Sequence, residues 1–274
     1  MAVTMADIAH LRKMSGAGMM DCKNALQEAD NDFEKAMEII RKKGQAVAAK
    51  RSDRDASEGC VLAADNGDFA AIVALKCETD FVAKNEDFIA LVKRFLDVAM
   101  DKKPANLEEL LALPLSDGRS IENHITDRIG ITGEKMELGF YEFVKGAITV
   151  SYIHPGNKLA TIVAFNQGLE HRVARDIAMQ VAAMNPVSIT PDEVPQKVVD
   201  LEIEVAKDKA RQAGKPENML DRIAQGALQK FFKESTLLQQ EFIKDQSITV
   251  LQYLQQQDKA LITTAFKRVT LNLE

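Results

Sequence analysis

His10, His124, His154 and His171 are the residues best suited by type to move protons or hold a metal, and their spacing suits neither task. A transition-metal site needs ligands at short, fixed intervals. Glu170-His171 has no second histidine to complete a metalloprotease helix. No glycine-rich dinucleotide fingerprint, phosphate-binding loop or serine nucleophile elbow occurs, and the many carboxylates form no recognisable acid–base pair. Cys22, Cys60 and Cys77 are an odd number without a Cys-x-x-Cys pair, which fits buried thiols in a reducing, cytoplasmic setting better than a disulfide framework. These residues point away from covalent catalysis, and from a bound metal or cofactor.

Two stretches stand out for binding instead. Gly16-Ala17-Gly18-Met19-Met20 places two large, flexible apolar side chains at a helix start. Methionine suits adaptable protein-binding surfaces. One of the two fits a small core and the other has no place there, so core packing and partner contact both remain open. Thr79-Asp80-Phe81-Val82 follows the end of a β-prone run. Thr79 or Asp80 can cap the helix that comes next, the carboxylate being favoured at its positive end. Phe81 then either staples that helix to the sheet or projects as an anchor into another protein, and the residues alone favour the staple.

The elements that must position these residues follow from periodicity. Residues 4–43 read as three short helices, broken at Ser15–Gly18 and Asp30–Asp32, the last burying Phe33, Ala36, Met37 and Ile40 and stopping at Gly44. Residues 45–57 read as a polar linker, helical or loose, with six positive charges between Arg41 and Arg54. That basic stretch is either a solvated segment or a contact surface for an acidic partner. Cys60–Asp65 and Phe69–Cys77 are β-prone runs around Asn66-Gly67, the signal for a type I′ hairpin turn. A helix carrying Phe88, Leu91, Val92, Phe95, Leu96 and Ala99 follows, and then a strand over Leu138–Val144.

The same order recurs. Ala147–His154 and Leu159–Phe165 form a second hairpin, Leu169–Met184 a helix, and LITTAFKRV a closing strand. Ile72–Leu75 and Ile162–Phe165 lie 90 residues apart in a weak internal duplication. Residues 194–244 insert two long helices separated by Gly214-Lys215, a helical hairpin whose mutual packing should use most of its apolar stripe. The expected fold is α+β: a three-helix module at 1–44, a basic linker at 45–57, and two core subdomains with small antiparallel sheets at 58–145 and 146–274.

Composition narrows the function. The chain has 274 residues, enough for a real core without staples. Its 35 Lys+Arg against 41 Asp+Glu give a net charge of -6, which argues against a broad nucleic-acid surface. Aromatics are 5% and Trp is absent, which lowers the case for base-stacking or sugar-binding platforms. No apolar run approaches membrane-spanning length, and the N-terminus lacks the features of a secretory signal.

The motifs LRKMSGAGMMDCKNAL (11–26), CETDFVAKN (77–85), SYIH (151–154), IAMQVAAMNP (177–186) and QAGKPENMLDRIAQGALQKFFKES (212–235) make the chain resemble the bacterial translation elongation factor Ts family along its whole length. The resemblance implies an N-terminal ubiquitin-associated-like bundle, a two-subdomain core and a helical-hairpin insertion. It implies a guanine-nucleotide exchange factor without covalent chemistry, whose partner is elongation factor Tu in its GDP-bound and nucleotide-free forms. By the same resemblance Thr79, Asp80, Phe81 and Val82 displace the partner's magnesium, His154 disturbs its phosphate-binding loop, and Met19 and Met20 touch its nucleotide domain. After His154 this chain has Pro155-Gly156-Asn157-Lys158 where the family usually has glycines and an arginine. The competing class is a ubiquitin-associated-like adaptor that only tethers proteins; it accounts for residues 1–43 but leaves the Thr79–Val82 motif and the duplicated core without a role.

Overall fold

The computed structural model describes residues 2–272. Helix α1 (Met5–Ser15) opens on a reciprocal cap: the Asp7 N–H donates to the Thr4 hydroxyl at 3.2 Å, and the Thr4 N–H donates to the Asp7 carboxylate at 2.9 Å. It stops at Gly16, whose φ of 71° needs no Cβ. Helix α2 (Met19–Glu28) starts three residues on, and α3 (Phe33–Arg51) is capped by the Asp32 carboxylate. The three helices bury Ile8, Leu11, Cys22, Leu26 and Ala36 in one small core.

Helix α3 does not stop at Gly44, as the sequence reading expects, but continues to Arg51. Gly44 is buried within it, facing α7 (Ile121–Thr132). A Cβ on Gly130 of α7 would meet the Gly44 Cα at 2.5 Å. The glycine that reads as a stop is a close-approach residue between two helices. Of the two forms open to the linker, residues 45–51 take the helical one. Three of the six positive charges at 41–54 have carboxylate partners: Lys43 pairs with Asp21, and Arg51 and Arg54 reach Glu78 at 3.6 and 3.9 Å.

Beyond the bundle come β1 (Glu58–Asp65) and β2 (Phe69–Cys77). The turn between them is not the expected type I′. Of Asn66 and Gly67, only Gly67 has positive φ, at 103°, as in a turn with glycine at its first central position. Helices α4 (Asp80–Ala83), α5 (Glu86–Lys102), α6 (Leu107–Ala112) and α7 lead to β3 (Met136–Lys145), giving a three-stranded sheet in the order β1-β2-β3. Helix α5 lays Phe88, Leu91, Val92, Phe95, Leu96 and Ala99 inward, as its periodicity requires.

The second sheet, in the order β4-β5-β8, is antiparallel, built from β4 (Ile148–Ile153), β5 (Leu159–Phe165) and β8 (Thr263–Thr270). Both central strands, β2 and β5, are buried along almost their entire length and carry the two duplicated segments. Helix α8 (His171–Met184) packs Val173, Ile177 and Val181 against Val163 and Phe165. The inserted helices α9 (Gln196–Gln212) and α10 (Leu220–Ser235) pack together through Ala210, Leu220, Ala224 and Leu228. That packing uses less of the apolar stripe than expected, leaving Leu201 and Val205 exposed. A short hairpin, β6 (Glu241–Phe242) and β7 (Asp245–Thr249), and helix α11 (Val250–Gln255) then return the chain to β8, unanticipated in the sequence. The fold is α+β.

Two compact units result. The first holds the described residues up to Leu62, Val73–Tyr141 and those from Leu271 on; the second holds Ala63–Ile72 and Glu142–Thr270. The bundle and helices α4–α7 thus fall in one unit.

Candidate protein-docking site

The corner after β2 is built from alternating donors and acceptors. Thr79 caps the single turn of α4, its hydroxyl accepting the Val82 N–H at 3.4 Å. Both oxygens of Glu134 grip the same residue: one accepts the Thr79 hydroxyl proton at 2.6 Å, the other the Thr79 N–H at 3.1 Å. One position back, the Lys135 N–H donates to Glu78 at 2.7 Å, and further back Lys76 reaches Glu137 at 2.8 Å. Partners that advance on one strand and retreat on the other mark an antiparallel register between β2 and the approach to β3. The Cys77 thiol donates to the Thr79 carbonyl at 3.3 Å. Burial, then the Glu134 and Glu58 carboxylates, push that thiol up to about 12, so it keeps its proton at neutral pH.

Against this fixed frame Phe81 is 84% exposed. The staple favoured by the residues alone is not what the chain adopts: the buried residue of the turn is Ala83, while Phe81 points to solvent. Val82 is half-buried. Asp80 lies in the first helical turn and pairs with Lys84 at 2.6 Å, a contact that raises the lysine's pKa. Asn85 caps α5 through its Oδ1, which accepts the Asp87 and Phe88 N–H groups. Two caps in seven residues leave the exposed phenylalanine on a short, well-determined turn.

Both methionines at the start of α2 are exposed, Met19 by 49% and Met20 by 62%. Neither enters the bundle core, contrary to the expected division of one in and one out. The first turn after the Gly18 cap lies outside the packed stripe, which Cys22, Ala25 and Leu26 supply. Met19 instead walls a shallow hollow with Met5, Ile8 and Arg12.

His154 belongs to the second unit. It is exposed at the end of β4, where its Nδ1 and the Tyr152 hydroxyl lie 3.0 Å apart. The His154 carbonyl accepts the Asn157 N–H at 3.1 Å, closing a turn with Pro155 and Gly156 at its centre. Gly156 has φ of 94°, as the third position of a Pro-Gly turn demands.

Glu134 escapes motif reading because it lies 55 residues from Thr79. The signal that finds it is the cross-strand pairing of Lys76 with Glu137, which sets Glu134 opposite Thr79 once β2 and β3 are aligned. Among the described residues, no three His, Cys, Asp or Glu side chains are arranged to hold a metal ion, and no helix is long and apolar enough to cross a membrane.

The exposed Phe81 on its Thr79-capped turn and the exposed Met19 and Met20 at the start of α2 are carried by an α+β scaffold. The Elongation factor TS family model matches residues 78–272. The chain is 70% identical to elongation factor Ts of Porphyromonas gingivalis, with the whole of both chains covered. It is 54% identical to that of Azobacteroides pseudotrichonymphae and 48% identical to that of Phocaeicola vulgatus, again over the full length of each. The chain belongs to the elongation factor Ts family and is a translation elongation factor.

Proposed function

We propose that this chain releases GDP from elongation factor Tu and leaves it free to take GTP. The observation that carries this reading is Phe81, an aromatic side chain held in solvent by a corner that Glu134 and Thr79 fix. Nucleotide-binding proteins of the partner's kind hold GDP through backbone N–H groups, a lysine and Mg²⁺ bridging to phosphate. A factor that binds a conformation in which those contacts are impaired lowers nucleotide affinity without touching the nucleotide. Phe81 serves as the wedge, Asp80 as the charge beside it, and Thr79 and Val82 as the turn that aims both; together they displace the magnesium. Met19 and Met20 dock the partner's nucleotide domain, and His154 reaches its phosphate loop.

The coupling is reciprocal: a factor that weakens nucleotide binding is itself weakened by nucleotide to the same degree. GTP therefore ejects the factor, and the cycle needs no covalent step. The partner is engaged in its GDP-bound and nucleotide-free forms. The test follows release of a fluorescent GDP analogue from purified elongation factor Tu. Catalytic amounts of the chain should accelerate release, and excess GTP should dissociate the complex. Binding without acceleration would leave a tethering adaptor, the reading that exposed Met5, Met19 and Met20 favour by themselves.

A further inference from the structure

A pocket of about 470 Å³ opens within the first unit, walled by the end of α1, by α3, by α5 and by α7 with the loop before it. Its size is that of small-molecule sites. Three arginines converge on it from three different helices: Arg41 from α3, Arg94 from α5 and Arg128 from α7. Among the described residues, no carboxylate comes within ion-pair range of any of the three. The other charged walls are matched internally. Arg119 holds Asp127 at 2.5 Å, and His124 and Asp117 lie 3.0 Å apart. Asp87 is the remaining carboxylate facing the three guanidiniums.

The Nε atoms of both Arg41 and Arg128 are buried without a hydrogen-bond partner. Arg128 spends one terminal nitrogen on the Asn85 side chain, at 3.0 Å. A buried, unsatisfied guanidinium N–H is costly and rare in a finished fold, and both of these belong to arginines that line the hollow. We propose that this pocket binds a small organic phosphate. Guanidinium forks arriving from three directions suit a tetrahedral oxyanion with several acceptor oxygens better than a planar carboxylate. An excess of positive groups suits a dianion. Met14, Met37 and Ile131 line the same hollow and offer an apolar wall to the ester's carbon portion. The site is separate from the exposed Phe81 turn, and its occupancy is measurable without any partner protein.

The test is titration of the full chain with phenyl phosphate and, in a second arm, inorganic pyrophosphate, by calorimetry and by amide chemical shifts. Saturable binding at or below about 1 mM, with shifts on α3 and α7, is expected. Stronger binding of phenyl phosphate assigns the apolar wall a role; equal or stronger binding of pyrophosphate assigns the site to the phosphate group alone. Arg41→Gln should weaken binding about tenfold or more. Arg94 is exposed, so Arg94→Gln gives the same reading without risk to the fold. Absence of saturation by 10 mM of either probe, or parental affinity in both variants, overturns the assignment.

Discussion

Glu134 holds Thr79 by two hydrogen bonds, one to its backbone and one to its side chain, across 55 residues of sequence. The turn bearing Phe81 is thereby held from outside its own segment.

Glu134→Ala should loosen that turn. Hydrogen bonds to a charged acceptor are worth about 1.5–3 kcal/mol each when unshared with water, and this pair is partly solvated, so the low end applies. Amide hydrogen exchange at Thr79 should quicken while the β5 amides stay protected. GDP release should fall by about tenfold, with Glu134→Gln intermediate because one acceptor survives. Unchanged protection at Thr79 in the alanine variant would remove Glu134 from the positioning role.

Phe81→Ala separates docking from folding. An exposed side chain contributes little to stability, so the change should stay within about 1 kcal/mol and the melting temperature within a few degrees. An interface anchor, in contrast, is worth about 2 kcal/mol or more, roughly thirtyfold in exchange. A variant that melts and exchanges like the parent would sink the wedge.

The glycine pair between α3 and α7 is asymmetric. Gly130→Ala puts a methyl 2.5 Å from the Gly44 Cα, where backbone cannot yield, and should cost about 1–3 kcal/mol. Gly44→Ala places its Cβ 3.5 Å from the nearest atom, an ordinary contact, and should be neutral or stabilising by up to about 1 kcal/mol through helix propensity. Urea denaturation of the two variants gives the comparison; equal losses would mean that the helices are not in close approach.

The buried thiols set an alkaline limit. Burial raises Cys60 and Cys77 from 9.0 to about 12. The unfolded chain loses these protons near pH 9 while the native state keeps them. Their contribution to stability is therefore complete below pH 9 and disappears as pH rises toward 12. Stability measured in urea should decline over that window, and less steeply in Cys60→Ala. Iodoacetamide at pH 8 should label Cys60 and Cys77 only after denaturant is added; rapid labelling of the native protein would contradict the burial.

Much of this was legible beforehand, for local reasons. The apolar stripes of α5 and α8 and the β-prone central runs encode elements that pack along their own length, and the chain places them as read. What was missed is non-local. Gly44 carries the composition of a helix stop, and only Gly130, 86 positions later, makes it a contact. Phe81 obeys the spacing of a staple, yet it is exposed and Ala83 is the residue of that turn that is buried. Strands β6 and β7 are too short for any period to register.

Helix α3 acts as a ruler. Its 19 residues span roughly 28 Å at 1.5 Å each, and its far end is clamped through Arg51 to Glu78, the residue before Thr79. The bundle that carries Met19 and Met20 and the turn that carries Phe81 thus belong to one unit, two prongs of one gauge rather than two hooks on a string. A protein gripped at both points must match that spacing in its own surface. For the exchange role proposed above, a partner whose surface spacing differs between its nucleotide states would be held best in the state that matches.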